Sequence, residues 1–374
     1  MKPPQPIPIN IDWLAFSVLL PLNDTERNEG IKLYTPEGYT LREFTGTNIY
    51  HNRAILFNEY GDKTLTLLYN PHSKIIAPNS MYVEVANREL YTDINPILNL
   101  VADIHEFTFQ SMSRIDLCGD FAPTEKQSTV IQSLQAGDIY AQGKREGSMF
   151  HTYQRSQGTE GKQERTPKCM SWGSMNSDVK FKLYNKTKEI TEIDNQGRIF
   201  CNKPYIPAMW RENGLPSNTD IWRLEVSITG ASSYAYRGEK INWSITDPTN
   251  FTPLYWDMVA NRFTLRHNQG HKYTKNDQVA AFLPIPPPPH YRIRKLEPHA
   301  EQHHTDHAVT LRSLMKELDR PEIQSCPTIA ISLLDSLENV ITHAHLEGYF
   351  LRAVGSSFGS WRREFLTKYL NQNI

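Results

Sequence analysis

Apolar residues recur at alternate positions, or in short unbroken runs, through much of the first part of the chain, and this pattern predicts β-strands. Residues 12–19 are short, aromatic and apolar, which predicts a buried strand. Residues 48–58 and 62–69 predict two strands joined as a hairpin through Tyr60-Gly61-Asp62. Further strands are predicted at 81–85, 113–121, 150–154, 169–172, 179–184 and 221–228.

Helical spacing appears between these strands. Asn95-Pro96 predicts a helix start, because asparagine suits the N-cap and proline the first turn. Helices are also predicted at 127–135 and 251–263. Mixed helices and often sequential strands predict an α+β fold, in which helices flank an antiparallel β-sheet.

A proline tract, Leu283-Pro-Ile-Pro-Pro-Pro-Pro-His290, predicts the main boundary of the chain because such a segment forms a stiff spacer. We expect a first domain at 1–282, a Pro/His-rich linker at 283–304 and a small all-helical domain at 305–374. The apolar spacing after residue 309 is helical throughout.

The composition narrows the class of protein. Hydrophobic residues make up 39% and aromatics 11%, so the 374-residue chain can build a core. The four cysteines form no closely spaced pair, which argues against a zinc site or a disulfide framework and favours a reducing cytoplasm. No apolar run is long enough to cross a membrane, so membrane insertion is not expected.

Charge is concentrated locally rather than overall. The net charge is −1, yet residues 141–189 hold ten Lys or Arg against five Asp or Glu, with tyrosines and Trp172 among them. A nucleic-acid-binding protein needs such a local basic footprint. A solvated surface stretch would give the same count, so charge alone leaves both interpretations open.

The segment Arg114-Ile-Asp-Leu-Cys-Gly-Asp120 places charged side chains on one face of a strand, because alternate residues share a face. Two carboxylates there, Asp116 and Asp120, are costly unless they are solvated or bound to a cation. An exposed polar strand face is the alternative interpretation.

A second segment places Lys180, Lys182 and Tyr184 on one strand face, with Lys186 close by. A cationic neighbourhood favours the phenolate, which is the reactive form in attack on phosphorus. The alternative is an ordinary strand tyrosine, since the chain holds 18. In a third segment, Arg223 and Glu225 alternate onto one face, where a plain surface ion pair is also possible.

Taken in order, these motifs resemble a known family. They are Asp-Trp in the first strand, Arg-x-Asp-x-x-x-Asp, Gly-Ser-x-x-Ser leading to Tyr-x-Lys-x-x-Glu, and Trp-Arg-x-Glu. The chain resembles the replication initiation factor family of plasmids and phages, which includes relaxases of some conjugative elements. The resemblance covers roughly residues 12–229, and 173–189 is its most specific part.

The resemblance implies roles for ten residues. Tyr184 would be the nucleophile, with Lys186 and Glu189 supporting it. Asp116, Asp120 and Glu225 would hold a divalent metal, and Lys180, Lys182, Arg223 and Arg114 would contact DNA. Lys182 departs from the family, which often has arginine there; lysine keeps the charge but loses the bidentate fork.

The implied activity is a rolling-circle nicking and closing reaction. Mg²⁺ or Mn²⁺ would polarise the scissile phosphate, and Tyr184 would attack it and stay joined to the 5′ phosphate. The expected partners are single-stranded or hairpin origin DNA, a host helicase and a DNA polymerase; the oligomeric state, with a homodimer among the alternatives, stays open. A conjugative relaxase with the same chemistry and a non-catalytic origin-binding protein are the alternative functions.

Overall fold

The structure is a computed structural model that describes residues 7–23, 25–26, 30–72, 76–142, 150–157, 163–173, 177–193, 196, 198–267, 279, 282–287, 290–296, 314–318, 320, 323, 327–343, 350 and 357–370. The chain divides into two compact units, residues 1–296 and residues 297–374.

Strands make up most of the first unit. They are β1 (Ile9–Leu19), β2 (Thr40–Thr45), β3 (Tyr50–Phe57), β4 (Lys63–Pro71), β5 (Ser80–Val85), β6 (Thr108–Phe121), β7 (Ile139–Gln142), β8 (Phe150–Gln157), β9 (Gln163–Trp172), β10 (Val179–Asn185), β11 (Thr191–Ile193), β12 (Ile199–Cys201), β13 (Trp222–Thr229), β14 (Tyr234–Tyr236), β15 (Glu239–Lys240), β16 (Thr264–His267) and β17 (Arg294–Lys295).

The α-helices of the first unit are α1 (Pro96–Ile104), α2 (Glu125–Ala136), α3 (Lys186–Ile190), α4 (Tyr205–Glu212) and α5 (Pro248–Arg262). The second unit has α6 (Pro327–His343) and α7 (Phe358–Leu370). Proline at the start of α1 agrees with the prediction, although the Asn95 side chain makes no cap hydrogen bond. Helix α4 was not predicted.

Among the described residues, ten strands form one antiparallel sheet in the order β2-β3-β4-β5-β1-β6-β13-β10-β9-β8. The predicted α+β fold class with an antiparallel sheet is therefore confirmed. Neighbours β6, β13 and β10 are far apart along the chain, so their pairing sets which distant side chains meet.

One face of this sheet forms the main core. Leu14, Leu117 and Leu224 are fully buried there, and α5 packs against β1, β6 and β13. The Tyr255 hydroxyl of α5 donates to the Leu224 carbonyl at 3.1 Å. A Cβ atom at Gly119 would lie 2.6 Å from that hydroxyl, so only glycine lets the helix approach this closely.

The predicted linker needs a correction at its start. Leu283 and Ile293 are buried in the core of the first unit, because their apolar side chains gain more from that contact than from solvent. Strand β17 pairs with β14 in a three-stranded sheet with β15. The described residues up to 296 thus belong to the first unit, and 297–304 lie outside the described residues.

The described part of the second unit is helical, as predicted, and has its own apolar cluster. The cluster consists of Leu318, Ala330, Leu334, Leu337, Ile341, Phe350, Phe365 and Leu366. No helix among the described residues of the chain is both long enough and apolar enough to cross a membrane.

Candidate active site

The second face of the sheet carries the predicted site residues, at its centre. The antiparallel register sets Lys182 opposite Glu225, Tyr184 opposite Arg223, and Asp120 on the far side of Arg223. Residues two apart on a strand share a face, so these side chains point the same way. Three strands thus bring together residues that are up to about a hundred positions apart in sequence.

Tyr184 is buried between a carboxylate and an ammonium group. Its hydroxyl donates to Glu225 Oε2 at 3.1 Å, and it accepts from Lys186 Nζ at 3.5 Å. Only 9% of the residue is exposed. The predicted nucleophile and its two neighbours therefore lie within contact distance, but the phenol faces little solvent.

The expectation that cations favour the phenolate at this position is wrong. Burial raises the pKa of Tyr184 well above its ordinary value, and the negative charge of Glu225 raises it further, while Arg223 acts in the opposite direction. Lysines lie nearby as predicted, but desolvation of the charged form is the largest effect on this pKa. Tyr184 is therefore a neutral phenol at neutral pH, and its attack would need a base.

Lys186 begins α3 directly after β10, where the Asn185 side chain caps the helix by accepting from the Lys188 amide at 2.9 Å. Its ammonium is buried and pairs with Glu189 at 2.6 Å, and Lys203 contacts the same carboxylate at 3.3 Å. Burial acts to raise the pKa of Glu189, but Lys186 outweighs it and the pKa falls. Glu189 thus pairs with the lysine that contacts Tyr184, and its supporting role stays a prediction.

Lys182 and Arg114 are the half-exposed cations of the site. Lys182 pairs with Glu225 at 2.6 Å, and 36% of its side chain is exposed. Burial acts to lower the pKa of Lys182, but Glu225 raises it overall, so the amine stays charged. Lys180 is half-buried on the same strand face, opposite Ser227.

Arg114 lies flat between an aromatic ring and a carboxylate. It is 4.6 Å from the ring centre of Trp13 and donates to both oxygens of Asp116, at 2.9 and 2.5 Å. Ser227 also donates to Asp116. One third of the Arg114 side chain remains exposed, whereas Asp116 is buried.

Arg223 does not face a ligand, contrary to the prediction that it contacts phosphate. Its guanidinium is fully buried and pairs with both oxygens of Asp120, at 2.6 and 2.7 Å, and with Asp12 at 2.5 Å. The Trp210 indole of α4 donates to Asp120 at 2.7 Å and closes this network. A buried arginine needs such complete pairing, so Arg223 and Asp120 serve the fold.

The three predicted metal ligands do not converge. Asp120 pairs with Arg223, Asp116 with Arg114, and Glu225 with Lys182. Asp116 and Asp120 are four residues apart on one strand, which separates them by roughly 13 Å. Within the described residues no group of three Asp, Glu, His or Cys side chains could hold a metal ion. This donor set does not fit the divalent metal that the resemblance implied.

Sequence reasoning missed the residues that complete the buried network. Asp12, in the Asp-Trp pair of the first strand, accepts from Arg223, from Tyr91 at 2.8 Å and from Asn87 at 3.1 Å. Burial alone would raise the pKa of Asp12, but Arg223 and Lys186 outweigh it and hold the pKa far below its ordinary value. Asp12 is the single acidic residue in a mostly apolar predicted strand, and this could have indicated a buried charged partner.

The structure describes the predicted basic stretch only in part. Residues 143–149, 158–162 and 174–176 lie outside the described residues, as do the side chains of 141–168. The Gly-Ser-x-x-Ser motif therefore contributes only Gly173 and Ser177 to the described site.

The fold and site define an antiparallel α+β protein with a buried tyrosine flanked by a carboxylate and lysines. The chain is similar to a solved structure of a rolling circle replication initiator protein from Geobacillus stearothermophilus. The two are 12% identical with a TM-score of 0.41, over 74% of this chain and 94% of that chain. No family model and no curated protein matches the chain.

Proposed function

We propose that this chain is a rolling-circle replication initiator that nicks one DNA strand through Tyr184 and rejoins it. The observation that carries the proposal is the Tyr184 hydroxyl, which donates to Glu225 at 3.1 Å and accepts from Lys186 at 3.5 Å. A phenol between a proton acceptor and a cation has the parts that an activated nucleophile requires. The motif resemblance names DNA as the substrate.

In this mechanism Glu225 takes the phenolic proton as the Tyr184 oxygen forms a bond to phosphorus. The bond between phosphorus and the 3′ oxygen breaks, and that oxygen receives the proton from Glu225. The product is a 5′-phosphotyrosine with a free 3′ hydroxyl, and reverse attack by that hydroxyl reseals the strand. Lys186 stabilises the developing phenolate, since a cation near a phenolic oxygen favours its charged form.

Lys182 and Arg114 are suited to receive the scissile phosphate, because both combine a charged head with partial exposure. Trp13, half-buried beneath Arg114, stacks on its guanidinium and helps to hold it in place. Bases around the nick must be unpaired to reach this face, so a single-stranded or hairpin origin is the expected substrate.

The burial of Tyr184 favours a second candidate function, a non-catalytic origin-binding protein. In that case Tyr184 would be a structural hydrogen-bond donor to Glu225. The two candidates differ in one product, a covalent link between DNA and the protein.

The test uses the full chain and a single-stranded oligonucleotide carrying the origin, with Mg²⁺, with Mn²⁺ and with a chelator. We expect a covalent adduct whose mass maps to the peptide holding Tyr184, and Tyr184→Phe abolishes it. Tyr205→Phe is the matched control, because that half-buried hydroxyl donates to Asn87 instead. Binding without any adduct would select the non-catalytic candidate.

A further inference from the structure

A small three-stranded sheet at the end of β13 presents one strongly basic face. Strand β14 lies between β17 and β15, with Ala235 opposite Arg294 on one side and Lys240 on the other. Arg294, Ala235 and Lys240 therefore point the same way. Arg292 lies exposed two residues before Arg294, outside the strand, and its guanidinium donates to Asn261 Oδ1 at 3.3 Å. We call Arg237, Lys240, Arg292 and Arg294 the basic face.

Among the described residues, one of these four cations lies within ion-pair distance of a carboxylate: Arg237 is 4.0 Å from Asp257. Glu239 alternates with Lys240 and points to the opposite side of the sheet, where Lys295 pairs with Asp178 at 2.8 Å. Arg294 and Lys240 are exposed, and no described acidic residue lies within ion-pair distance of either. Ala235 at the centre is too small to shield them. The basic face is thus a flat array of cations in a chain whose net charge is −1.

Arg237 is held in place at a conformational cost. It forms the turn between β14 and β15 with φ of +53°, and Gly238 follows with φ of +90°. A two-residue hairpin turn of this kind favours asparagine or glycine at the first position. An arginine kept in the left-handed region points to a use for its side chain.

The Arg237 guanidinium is stacked between two tyrosines, 5.1 Å from the ring centre of Tyr236 and 4.9 Å from that of Tyr291. Stacking fixes its plane while leaving 47% of the side chain exposed. The segment that carries the other arginines is also anchored: Asn261 donates to the Tyr291 carbonyl, and the Leu296 amide donates to the Ser233 carbonyl. The Arg237 guanidinium and the backbone that carries the other cations are therefore held in place.

We infer that the basic face binds the phosphate backbone of duplex DNA beside the nicking site. Lys240 and Arg294 lie on the two outer strands, so their backbones are roughly 10 Å apart, and Arg292, two residues before Arg294, lies up to roughly 7 Å from it. An array of cations on an anchored backbone complements the regular, dense charge of a duplex. The exposed ring of Tyr291 is occupied by Arg237, so base stacking is not what this surface offers.

The location fits this partner. The polar strand face of β13 carries Glu225 and Ser227, and the chain continues from there through Thr229 into β14. Duplex DNA on the basic face would therefore lie beside a single strand entering the Tyr184 site. The inference rests on the proposed function only for the choice of DNA as partner.

The test measures binding of a duplex of roughly 20 base pairs without an origin sequence, by fluorescence anisotropy at several salt concentrations. The variant carries Lys240→Gln, Arg292→Gln and Arg294→Gln. We expect at least a tenfold loss of affinity, and a slope of log Kd against log salt that is smaller by about 2 to 3, since each phosphate contact contributes about 0.9. The matched control, Lys126→Gln with Arg198→Gln and Arg211→Gln, removes three exposed cations elsewhere and leaves both quantities unchanged.

Arg237→Asn is a second variant. It replaces the left-handed arginine with a residue that this turn position favours. Asparagine suits the turn better than arginine, so thermal stability holds or rises while duplex affinity falls and the salt slope decreases by about 1. Arg292→Lys with Arg294→Lys keeps the charge and most of the affinity. Equal losses for the triple variant and its control, or an equal loss on single-stranded DNA, would overturn the inference.

The adduct assay separates this inference from the proposed function. The triple variant still forms the Tyr184 adduct on a short single-stranded oligonucleotide, which the basic face does not hold. Suppose that the wild-type chain forms no adduct, while the triple variant loses duplex binding and its control does not. The inference about the basic face is then supported, and the proposed nicking function is wrong. If the wild-type chain forms the adduct and the triple variant binds the duplex as tightly as wild type, the nicking function is supported and the inference about the basic face is wrong.

Discussion

The Tyr184 hydroxyl contacts two charged groups, the carboxylate of Glu225 and the ammonium group of Lys186. Glu225 is the nearer of the two, but it also pairs with Lys182, which moderates its pull on the proton. Burial keeps the phenol neutral, so in the proposed reaction the charged neighbours would act at the moment of proton transfer rather than in the resting state. Lys186 is the group best placed to make that difference.

Lys186→Met tests this role. Methionine keeps much of the buried volume but removes the cation, so we expect the adduct-forming rate to fall by about 10- to 100-fold while DNA affinity is retained. A hydrogen bond to a charged group is worth about 1.5–3 kcal/mol, which matches that range. Single-turnover kinetics on the origin oligonucleotide measure the rate, and the loss should lessen towards alkaline pH as phenolate forms without help.

Lys188→Met is the matched control. It lies two residues further along the same helix, but 72% of its side chain is exposed. Its rate should equal that of the wild-type chain. Equal rates for the two methionine variants would show that Lys186 supports the fold only, and thermal melts of both check that the fold persists.

Asp12 makes the fold sensitive to acid. The charges of Arg223 and Lys186 outweigh burial and hold its pKa below the ordinary value, so the unfolded chain takes up this proton at a higher pH than the folded chain. The stability that Asp12 contributes is therefore present above the unfolded pKa of about 3.9 and is lost as pH falls below it. Asp12→Asn should therefore make the free energy of unfolding depend less steeply on pH in this range.

Urea denaturation at a series of pH values from neutral to acid measures the effect. At neutral pH we expect Asp12→Asn to lower the free energy of unfolding by about 2 kcal/mol, because Arg223 loses a charged partner. Asp103→Asn, an exposed residue of α1, is the control and should change little. If the free energy of unfolding of Asp12→Asn falls with pH as steeply as that of wild type, other carboxylates cause the acid sensitivity.

At the scale of elements, the polar face depends on α4, which covers the buried arginine. Trp210 of α4 is buried, and its indole donates to Asp120 at 2.7 Å. Trp210→Phe keeps most of the ring but removes the donor, so we expect a loss of about 1–3 kcal/mol in the free energy of unfolding. Chemical denaturation measures it, with Trp256→Phe, a half-buried indole of α5, as control. Equal losses would mean that ring volume alone matters.

Strands and their faces could be predicted from the sequence, because alternation is local. Val179–Asn185 and Trp222–Thr229 lie within one residue of the predicted strands at both ends. Their pairing could not be predicted, since the register between strands about forty residues apart depends on the whole core. Arg223 illustrates the limit: its strand was predicted, but its burial results from α4 and from Asp12, neither of which its own segment reveals.

The acidic residues failed as a metal site for the same reason. Asp116 and Asp120 share a strand face as predicted, yet each meets a different arginine. Arg114 and Asp116 are themselves two apart on that face, so a local pairing was visible in the sequence. The partner of Asp120 comes from the neighbouring strand, and only the folded sheet shows it.

For the whole molecule, the proposed DNA binding of a near-neutral chain requires local cations. The half-exposed cations beside Tyr184 and the basic face are two separate sets, built from different strands. Only the first was predicted. Arg292 and Arg294 fall within the segment predicted as a linker. Charged residues of a linker are expected to be solvated and not to form part of a folded surface.

The boundary of the first unit yields the last prediction. A chain ending at residue 296 keeps Leu283, Ile293 and the pairing of β17 with β14, whereas a chain ending at residue 282 loses all three. Each buried aliphatic side chain contributes about 1.5–3 kcal/mol, so the shorter chain should be several kcal/mol less stable. Urea denaturation compares the two.

The chain 1–296 should also keep the cooperative unfolding of the first unit, because each unit has its own apolar cluster among the described residues. Leu283→Ala with Ile293→Ala in the longer chain separates packing from chain length, since it should reproduce most of the loss. If the chain 1–282 is as stable as 1–296, the proline tract is a spacer from its first residue. In that case the packing of 283–296 contributes nothing to the fold.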